Sequence, residues 1–179
     1  NAAFSQQHNI GVSGGSESST YYVGLGYNDR QGMYNFGDDR YKRFNIRANI
    51  STDISKWLSF SLRTTVAREL FNTPNTYSGK TGGNYMHQIA RKWPTVPLFN
   101  PDGLYSDNSD VRLHMEGGRN KEVTDNAILT GEFNFKLAKG WTATVNYTFN
   151  GTFYKQDFHT KTVYAYRPSG AQYIMTGSP

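Results

Sequence analysis

Four histidines are the first candidates for chemistry in this sequence, because imidazole binds metals and transfers protons near neutral pH. They are far apart, with no i, i+4 pair and no carboxylate at the spacing of a zinc site: His8, His87, His114 and His159. The chain has no cysteine, which excludes thiolate ligands, disulfides and cysteine nucleophiles. We therefore predict no metal and no cofactor, with all four histidines on a surface or lining a lumen.

Several short motifs are similar to catalytic or ligand-binding loops, but each has the wrong spacing. GlyLysThr at 79–81 would need a glycine where Pro74 stands to form a phosphate-binding loop. The oxygen-rich segments at 100–103 and 107–110 lack the calcium-loop pattern, and turns explain them better. The serines of 14–19 have no GxSxG elbow. We therefore predict that the chain is not an enzyme.

Basic and aromatic residues are interleaved near residue 40, a combination that nucleic-acid-binding proteins use for phosphates and stacked bases. Arg43 and Arg47 have one parity, however, and Phe44 and Ile46 have the other. A strand would place these two sets on opposite faces, whereas a stacking platform needs both on one face. The pattern favours arginines that line a lumen and predicts no nucleic acid partner.

The overall composition is typical of a twisted sheet. Of the 179 residues, 15% are aromatic and 18 are glycine, while only 36% are hydrophobic, and the mean hydropathy is -0.69. No segment approaches the roughly 18 to 20 consecutive apolar residues of a membrane-spanning helix. A helical membrane protein is excluded on this basis, whereas an antiparallel all-β protein is favoured. The net charge of +5 would suit a surface beside anionic lipid, although many unrelated proteins share it.

Apolar and polar residues alternate with period 2 in six segments, which predicts six strands in three hairpins. The segments cover 9–13, 21–28, 41–53, 57–71, 125–138 and 141–153, and Ile128 is the one misfit. Ten residues of the apolar parity are predicted to face lipid: Phe44, Ile46, Ile50, Phe60, Leu62, Leu129, Phe133, Phe135, Val145 and Phe149.

The connections between the predicted strands alternate in length. Short turns at 14–19, 54–56 and 138–140 contrast with long loops at 29–40, 72–124 and 154–179. Transmembrane β-barrels have this asymmetry, and strands of about 13 residues are long enough to cross a bilayer at a tilt. Since eight strands are the usual minimum for such a barrel, the chain is expected to be a fragment.

The predicted organisation follows from these lengths. Four strands lie within 1–72, a long extracellular loop covers 73–124, a hairpin covers 125–153, and a truncated extracellular loop covers 154–179. A plug domain is expected to be absent from this chain.

Aromatic residues mark both ends of the predicted strands, as in the two aromatic girdles of membrane barrels. Tyr21, Trp57 and Trp141 lie beside short turns, whereas Tyr27, Tyr41, Phe71 and Phe153 lie at the long-loop ends. Lys42 and Arg68 have the apolar parity at the long-loop ends of neighbouring strands, where they are predicted to extend toward lipid phosphates.

Two other interpretations remain open. A soluble secreted β-sandwich that binds carbohydrate would show the same alternation, with the apolar parity forming its core. A small ungated porin or an adhesin-like barrel would also fit.

Residues 8–63 resemble the barrel of the SusC/RagA-type TonB-dependent outer-membrane transporters of Bacteroidetes. The matching segments are SGG at 13–15, TYYVGLGY at 20–27, DRQG at 29–32, RFNIRANI at 43–50 and WLSFSL at 57–62. Farther on, KWPTVPLFNPDG at 92–103 is similar to the Pro-rich extracellular segment of that family, which follows a short helix, here expected at 85–92.

The resemblance implies a 22-stranded barrel in the outer membrane of a Gram-negative cell, surrounded by lipid and lipopolysaccharide. It further implies a plug that couples to TonB, ExbB and ExbD, and a SusD-like lipoprotein that covers the barrel. Such transporters import oligosaccharides or peptides, so this chain would supply part of the wall and one large loop.

The long loop is the predicted place of substrate contact, because loops carry recognition and aromatic rings pack on sugars and peptide side chains. The candidates are Tyr85, Arg91, Trp93, Phe99 and Tyr105. Alternatively, any of these side chains could simply pack the loop onto the barrel mouth or against the lipoprotein.

Overall fold

The computed structural model describes residues 3–32, 39–75, 90, 92–107 and 109–176. Within them the protein is a six-stranded antiparallel sheet with a small two-stranded sheet and one short helix. The elements are β1 (Ser5–Gly15), β2 (Ser19–Gln31), β3 (Arg40–Ser55), β4 (Leu58–Pro74), α1 (Val111–Glu116), β5 (Gly118–Ala138), β6 (Trp141–Thr160), β7 (Val163–Tyr166) and β8 (Gln172–Thr176). The predicted all-β fold class is confirmed.

The large sheet is a continuous meander in which each strand pairs with the next one along the chain. All five pairings are antiparallel, so the three predicted hairpins also pair with one another. The β5–β6 turn depends on Gly140, whose φ of 81° is in the left-handed region that suits glycine. Register shifts occur beside two of the short turns, between Asp53 and Ser55 and between Lys136 and Ala138.

The third hairpin is longer than its predicted limits of 125 and 153. β5 has 21 residues and β6 has 20, and their pairing begins with Gly118 opposite Thr160. Residues 119–122 and 156–159 contain few apolar side chains, yet their main chains still pair, because the hydrogen-bonded ladder needs no particular side chain. The end of the apolar alternation therefore marks the end of an apolar band and not the end of the sheet.

The sheet has almost no buried apolar core of its own. Among the described residues, the buried hydrophobic ones are Ala67, Leu113, Val163 and Ala165, of which only Ala67 lies in the large sheet. Both faces of a single-layer sheet are open, so its stability depends on whatever medium or element contacts those faces.

The other three buried apolar residues belong to a compact loop unit, defined as residues 92–107, 109–117 and 161–176. It contains α1 and the β7–β8 hairpin. The hairpin lies within the predicted truncated loop 154–179, whose sequence gave no clear alternation. Of the helix predicted at 85–92, only residues 90 and 92 lie within the described residues.

In the part of the chain that the structure describes, no helix is long and apolar enough to cross a membrane.

Candidate functional site

The first candidate surface is one face of the large sheet, here called the apolar face. Directly opposed residues of antiparallel strands share a face, and the register aligns apolar rows across the strands. Ile46 lies opposite Leu25 and Val66, and Phe133 lies opposite Phe60 and Val145. All ten residues predicted to face lipid lie on this face. Their contact with lipid stays a prediction.

Large side chains on the apolar face are exposed. Tyr147 is 75% exposed, Ile10 is 66% exposed, and Ile46 is 50% exposed in the middle of the sheet. Monomeric soluble proteins rarely expose a contiguous apolar patch of this kind, because contact with water costs about 25 cal/mol for each Å². The face is therefore suited to contact an apolar medium or partner.

The height of the apolar face can be estimated on β6. From Ala143 to Phe153, the six residues of the apolar parity carry no charge. This stretch is about 33 Å long at the usual rise of a strand, and about 25 Å high when a strand tilts by about 40°. Transmembrane barrels have an apolar band of that height.

The opposite face, here called the polar face, carries ion pairs and hydrogen-bonded side-chain pairs between strands. Arg63 lies 3.5 Å from Glu132, and Arg43 lies 3.6 Å from Glu69. Thr130 and Thr148 are hydrogen-bonded at 3.0 Å, and the Thr152 hydroxyl donates to Asn126 at 2.8 Å. Ile128 lies on this face, as its parity indicates. The polar face is therefore suited to contact water or a polar partner.

The aromatic residues at the long-loop end divide between the two faces. Tyr27 and Phe44 lie on the apolar face with ring centroids 5.0 Å apart, and Phe153 lies in the same row. Tyr41 and Phe71 instead form an edge-on pair on the polar face, with ring centroids 6.2 Å apart. This pair lies next to the Arg43–Glu69 pair along β3 and β4. Their placement in one girdle was therefore wrong, because their parity is that of the polar residues. At the short-turn end, Trp57 stacks on Phe135 at 6.2 Å.

Charged residues appear on the apolar face only at its long-loop end, among the described residues. Asp29 is 3% exposed and accepts two hydrogen bonds from Arg40, at 2.6 and 2.8 Å. Tyr27 and Gln6 also donate to this carboxylate, at 3.0 and 3.3 Å. This network joins β1, β2 and β3, and such bidentate pairs hold fixed geometry.

Arg68 differs from the prediction that it extends toward lipid phosphate. Its guanidinium donates to both oxygens of Asp125 on β5, at 2.6 and 2.7 Å. Asp125 has the same parity as Ala127 and Leu129, so it meets Arg68 on the apolar face. Parity places both charges on the apolar face, but only the β4–β5 register brings them opposite each other.

The second candidate surface is the loop unit. Phe99 and Tyr105 form a bridge between opposed main chains, and their ring centroids are 4.7 Å apart. The guanidinium of Arg112 lies 5.2 Å from the Tyr105 ring centroid and donates to the Tyr164 carbonyl at 2.6 Å. Tyr105 thus packs within the loop unit, against Arg112 of α1 and beside β7, and its contact with substrate stays a prediction.

A turn lies between these two rings, as predicted for 100–103. The Gly103 amide donates to the Asn100 carbonyl at 2.9 Å, and Gly103 has a φ of 82°. The buried Asn100 side chain donates to the Tyr166 carbonyl at 2.7 Å. The turn is therefore fixed to the β7–β8 hairpin.

Trp93 is the most exposed of the described candidate contacts, with 78% of its surface open, and Phe99 is 47% exposed. Leu98 and Leu104 beside Phe99 are also exposed. Tyr85 and Arg91 lie outside the described residues. The structure therefore brings Phe99 and Tyr105 together and leaves Trp93 open on the same loop.

His114 corrects the prediction of four surface or lumen histidines. It is buried beside Leu113 in α1, and burial lowers the pKa of its imidazole, against a smaller opposite effect of Asp110. The helix is too short for a periodic pattern to reveal its buried side. His8 instead stacks beside Tyr27, with ring centroids 6.3 Å apart. His87 lies outside the described residues.

No family model matches the chain. Two curated proteins of Formosa agariphila are similar to it in sequence. TonB-dependent receptor P3 is 29% identical over 103 residues, 56% of this chain and 10% of the relative. TonB-dependent receptor P39 is 28% identical over 148 residues, 80% of this chain and 14% of the relative. The chain therefore spans between a tenth and a seventh of these relatives, and the resemblance to TonB-dependent receptors of Bacteroidetes is confirmed.

Proposed function

We propose that this chain is part of the barrel wall of a TonB-dependent transporter of the SusC/RagA type in the outer membrane. The observation that carries the proposal is the exposed apolar face, which crosses all six strands without interruption between its two ends. Two TonB-dependent receptors with similar sequence support it.

The two faces of the wall would contact different media. Lipid would cover the apolar face, which removes the cost of exposing Ile46, Leu129 and their neighbours to water. The polar face would line the interior, where the Arg43–Glu69 and Arg63–Glu132 pairs remain hydrated. A closed barrel also satisfies the free main-chain edges of β1 and β6, since a bilayer offers them no hydrogen-bond partner.

The transported substrates would be oligosaccharides or peptides, taken up together with a SusD-like surface lipoprotein. Energy would come from TonB, ExbB and ExbD through parts of the protein outside this chain. The loop unit would lie on the extracellular side and offer Trp93 and Phe99 to the substrate or to the lipoprotein, while Tyr85 and Arg91 are candidates that lie outside the described residues. Tyr105 would act mainly by holding the loop in shape, given its contact with Arg112.

A nitroxide scan through residues 126–134 of the reconstituted full-length protein tests the proposal. Each residue is replaced by a labelled cysteine, and collisions with oxygen or with a water-soluble nickel chelate are measured by EPR. If the apolar face contacts lipid, labels at 127, 129 and 133 collide mainly with oxygen, and labels at 126, 130 and 134 collide mainly with nickel.

The same scan separates the proposal from a soluble β-sandwich. In a sandwich the odd-numbered labels would lie between two sheets, protected from both reagents. That result would overturn the barrel. In the described residues, the only other sheet is the β7–β8 pair of the loop unit, which is too small to cover six strands.

A further inference from the structure

The long-loop end of the apolar face contains a groove of about 320 Å³ across β3, β4 and β5. On this face its lining residues are Arg40, Lys42, Leu70, Asn72, Lys121 and Val123. Lys42, Leu70 and Val123 form one row of the sheet, and Arg40, Asn72 and Lys121 form the next row toward the loops. The groove thus has a short apolar floor with a basic rim.

The anionic groups on this end of the face already have cationic partners. Asp29 is held by Arg40, Asp125 by Arg68, and Asp157 by Lys155 at 2.9 Å. Among the described residues, Lys42 and Lys121 have no ion pair on this face. The two lysines therefore leave a local excess of positive charge above the apolar band.

The two lysines can meet over one ligand. They lie on β3 and β5, two strand spacings across and one row apart, or about 12 Å in all, a gap that two four-carbon side chains can close across Leu70. Below Leu70, the next row of this face holds the Arg68–Asp125 ion pair, whose two charges offset each other, and the row below that contains Val66 and Ala127. A ligand that fits both features has an anionic head at the lysines and an apolar tail along β4.

We propose that Lys42 and Lys121 bind the phosphate of an anionic membrane lipid whose acyl chain begins on Leu70 and Val123 and passes the Arg68–Asp125 ion pair to reach Val66. The proposal rests on the proposed function, because it requires the apolar face to contact the bilayer. The two lysines favour a headgroup with a net negative charge over a zwitterionic headgroup, because the charges are complementary. The apolar side chains of the groove floor favour a lipid over free phosphate. The lysines would extend from the end of the band to the headgroup level.

A fluorescence experiment with the full-length protein tests the site. A Val66→Cys variant, in a background without other cysteines, is labelled with bimane on the apolar face, about 13 Å below Leu70 along the strand. The protein is reconstituted in phosphatidylcholine vesicles that contain nitroxide-labelled phosphatidic acid or nitroxide-labelled phosphatidylcholine. Quenching then reports which lipid occupies the position beside Val66.

Phosphatidic acid is expected to compete for this position about fivefold or more better than phosphatidylcholine, since each basic residue near an anionic surface contributes about 1 kcal/mol. A Lys42→Gln/Lys121→Gln variant should reduce the affinity of phosphatidic acid relative to phosphatidylcholine to about one. The matched control is Arg47→Gln/Lys136→Gln, which removes two exposed charges from the polar face of the same two strands. This control should keep the preference.

The outcomes separate the site from the function it rests on. No quenching by either lipid would show that Val66 does not face the bilayer, and the proposed function would fail. Quenching by both lipids with the same ratio in all variants would overturn the lysine site and leave the wall in place. Inorganic phosphate that abolishes the preference, when sodium chloride of equal ionic strength does not, would assign the lysines to free phosphate and overturn the lipid. The single variants Lys42→Gln and Lys121→Gln repeat the comparison if the double variant fails to insert.

Discussion

At the scale of single residues, exposure separates loop side chains that hold the fold from those that are open to a ligand. Tyr105 is covered by Arg112 and tied to α1, whereas Trp93 is almost fully exposed. An exposed tryptophan can pack on a sugar face or a peptide side chain when a ligand arrives. Trp93 is therefore the strongest of the described candidates for substrate or lipoprotein contact.

Replacement of Trp93 by alanine in the full-length transporter should weaken substrate binding by about 1 kcal/mol or more without lowering barrel assembly. Titration of ligand binding by calorimetry measures the first effect, and the heat-modifiable mobility of the barrel measures the second. Trp141→Ala, which removes a similarly exposed tryptophan at the short-turn end, is the control. Equal affinities for the wild type and Trp93→Ala would contradict the prediction.

The buried His114 predicts that acid loosens the loop unit. Its folded pKa lies below the ordinary value of 6.5, so the unfolded loop takes up a proton that the folded loop does not. Stability is therefore unchanged above about pH 6.5 and falls as the pH drops below it, by up to about tenfold in the opening equilibrium for each pH unit. Asp110, held by Lys92 at 3.2 Å, opposes part of this effect.

Hydrogen exchange of the amides at 109–116, corrected for the intrinsic rate, measures this opening between pH 7.5 and pH 5. His114→Gln should remove the acid-dependent part, whereas His159→Gln at the exposed end of β6 should keep it. An identical pH dependence with and without His114 would refute its role.

At the scale of secondary-structure elements, the two faces of β5 offer a direct contrast between neighbouring residues. Leu129 is in the middle of the apolar face and Thr130 follows it on the polar face. If lipid covers the apolar face, Leu129→Arg should reduce the free energy of folding into lipid vesicles by about 2 to 4 kcal/mol. Thr130→Arg should cost far less, because its side chain lies in water.

Denaturant titration of the full-length protein in vesicles measures both variants. Similar losses of folding free energy at 129 and 130 would mean that the two faces have the same environment. That result would contradict both a membrane barrel and the division into an apolar and a polar face.

Hydrogen bonds hold the ends of β4 and β6 together where the loop unit leaves the large sheet. The Asn75 side chain, at the end of β4, donates to the His159 carbonyl at 3.1 Å and to the Thr160 hydroxyl at 2.8 Å. The Lys161 amide donates to the Gly117 carbonyl at 3.0 Å. The first two bonds tie the end of β4 to the end of β6, and the third joins the two segments of the loop unit, 109–117 and 161–176, that continue directly into β5 and from β6.

At the scale of the whole molecule, the height of the apolar band predicts a preferred membrane thickness. The band on β6 is about 25 Å high at a usual tilt, and each Å of mismatch costs a fraction of a kcal/mol. The full-length protein should therefore be more stable in vesicles with a hydrocarbon core of about 25 Å than in vesicles of about 33 Å.

Urea-induced unfolding in vesicles of graded acyl-chain length measures this dependence. Exchange at 109–116 in the loop unit is the internal control, because those amides lie beyond the strands and should not respond to lipid thickness. A stability that rises steadily with thickness would contradict the estimated height.

Local patterns in the sequence predicted a large part of this fold. Side chains alternate between the faces of any strand, so the parity of Phe44, Ile46 and Leu129 fixes their common face without further information. The same rule, applied strictly, would also have placed Tyr41 and Phe71 on the polar face. The short turns and the pairing within each hairpin followed from connection length, since a two-residue turn leaves neighbouring strands antiparallel.

Tertiary structure decided the features that depend on residues far apart in sequence. The Arg68–Asp125 pair and the Asn75–His159 bond require the register of three neighbouring strands, and no local pattern sets that register. The burial of His114 needs the β7–β8 hairpin, whose short strands carry no clear alternation. Parity is a property of the chain itself, whereas pairing and burial are relations between segments, and they exist only once the segments have met.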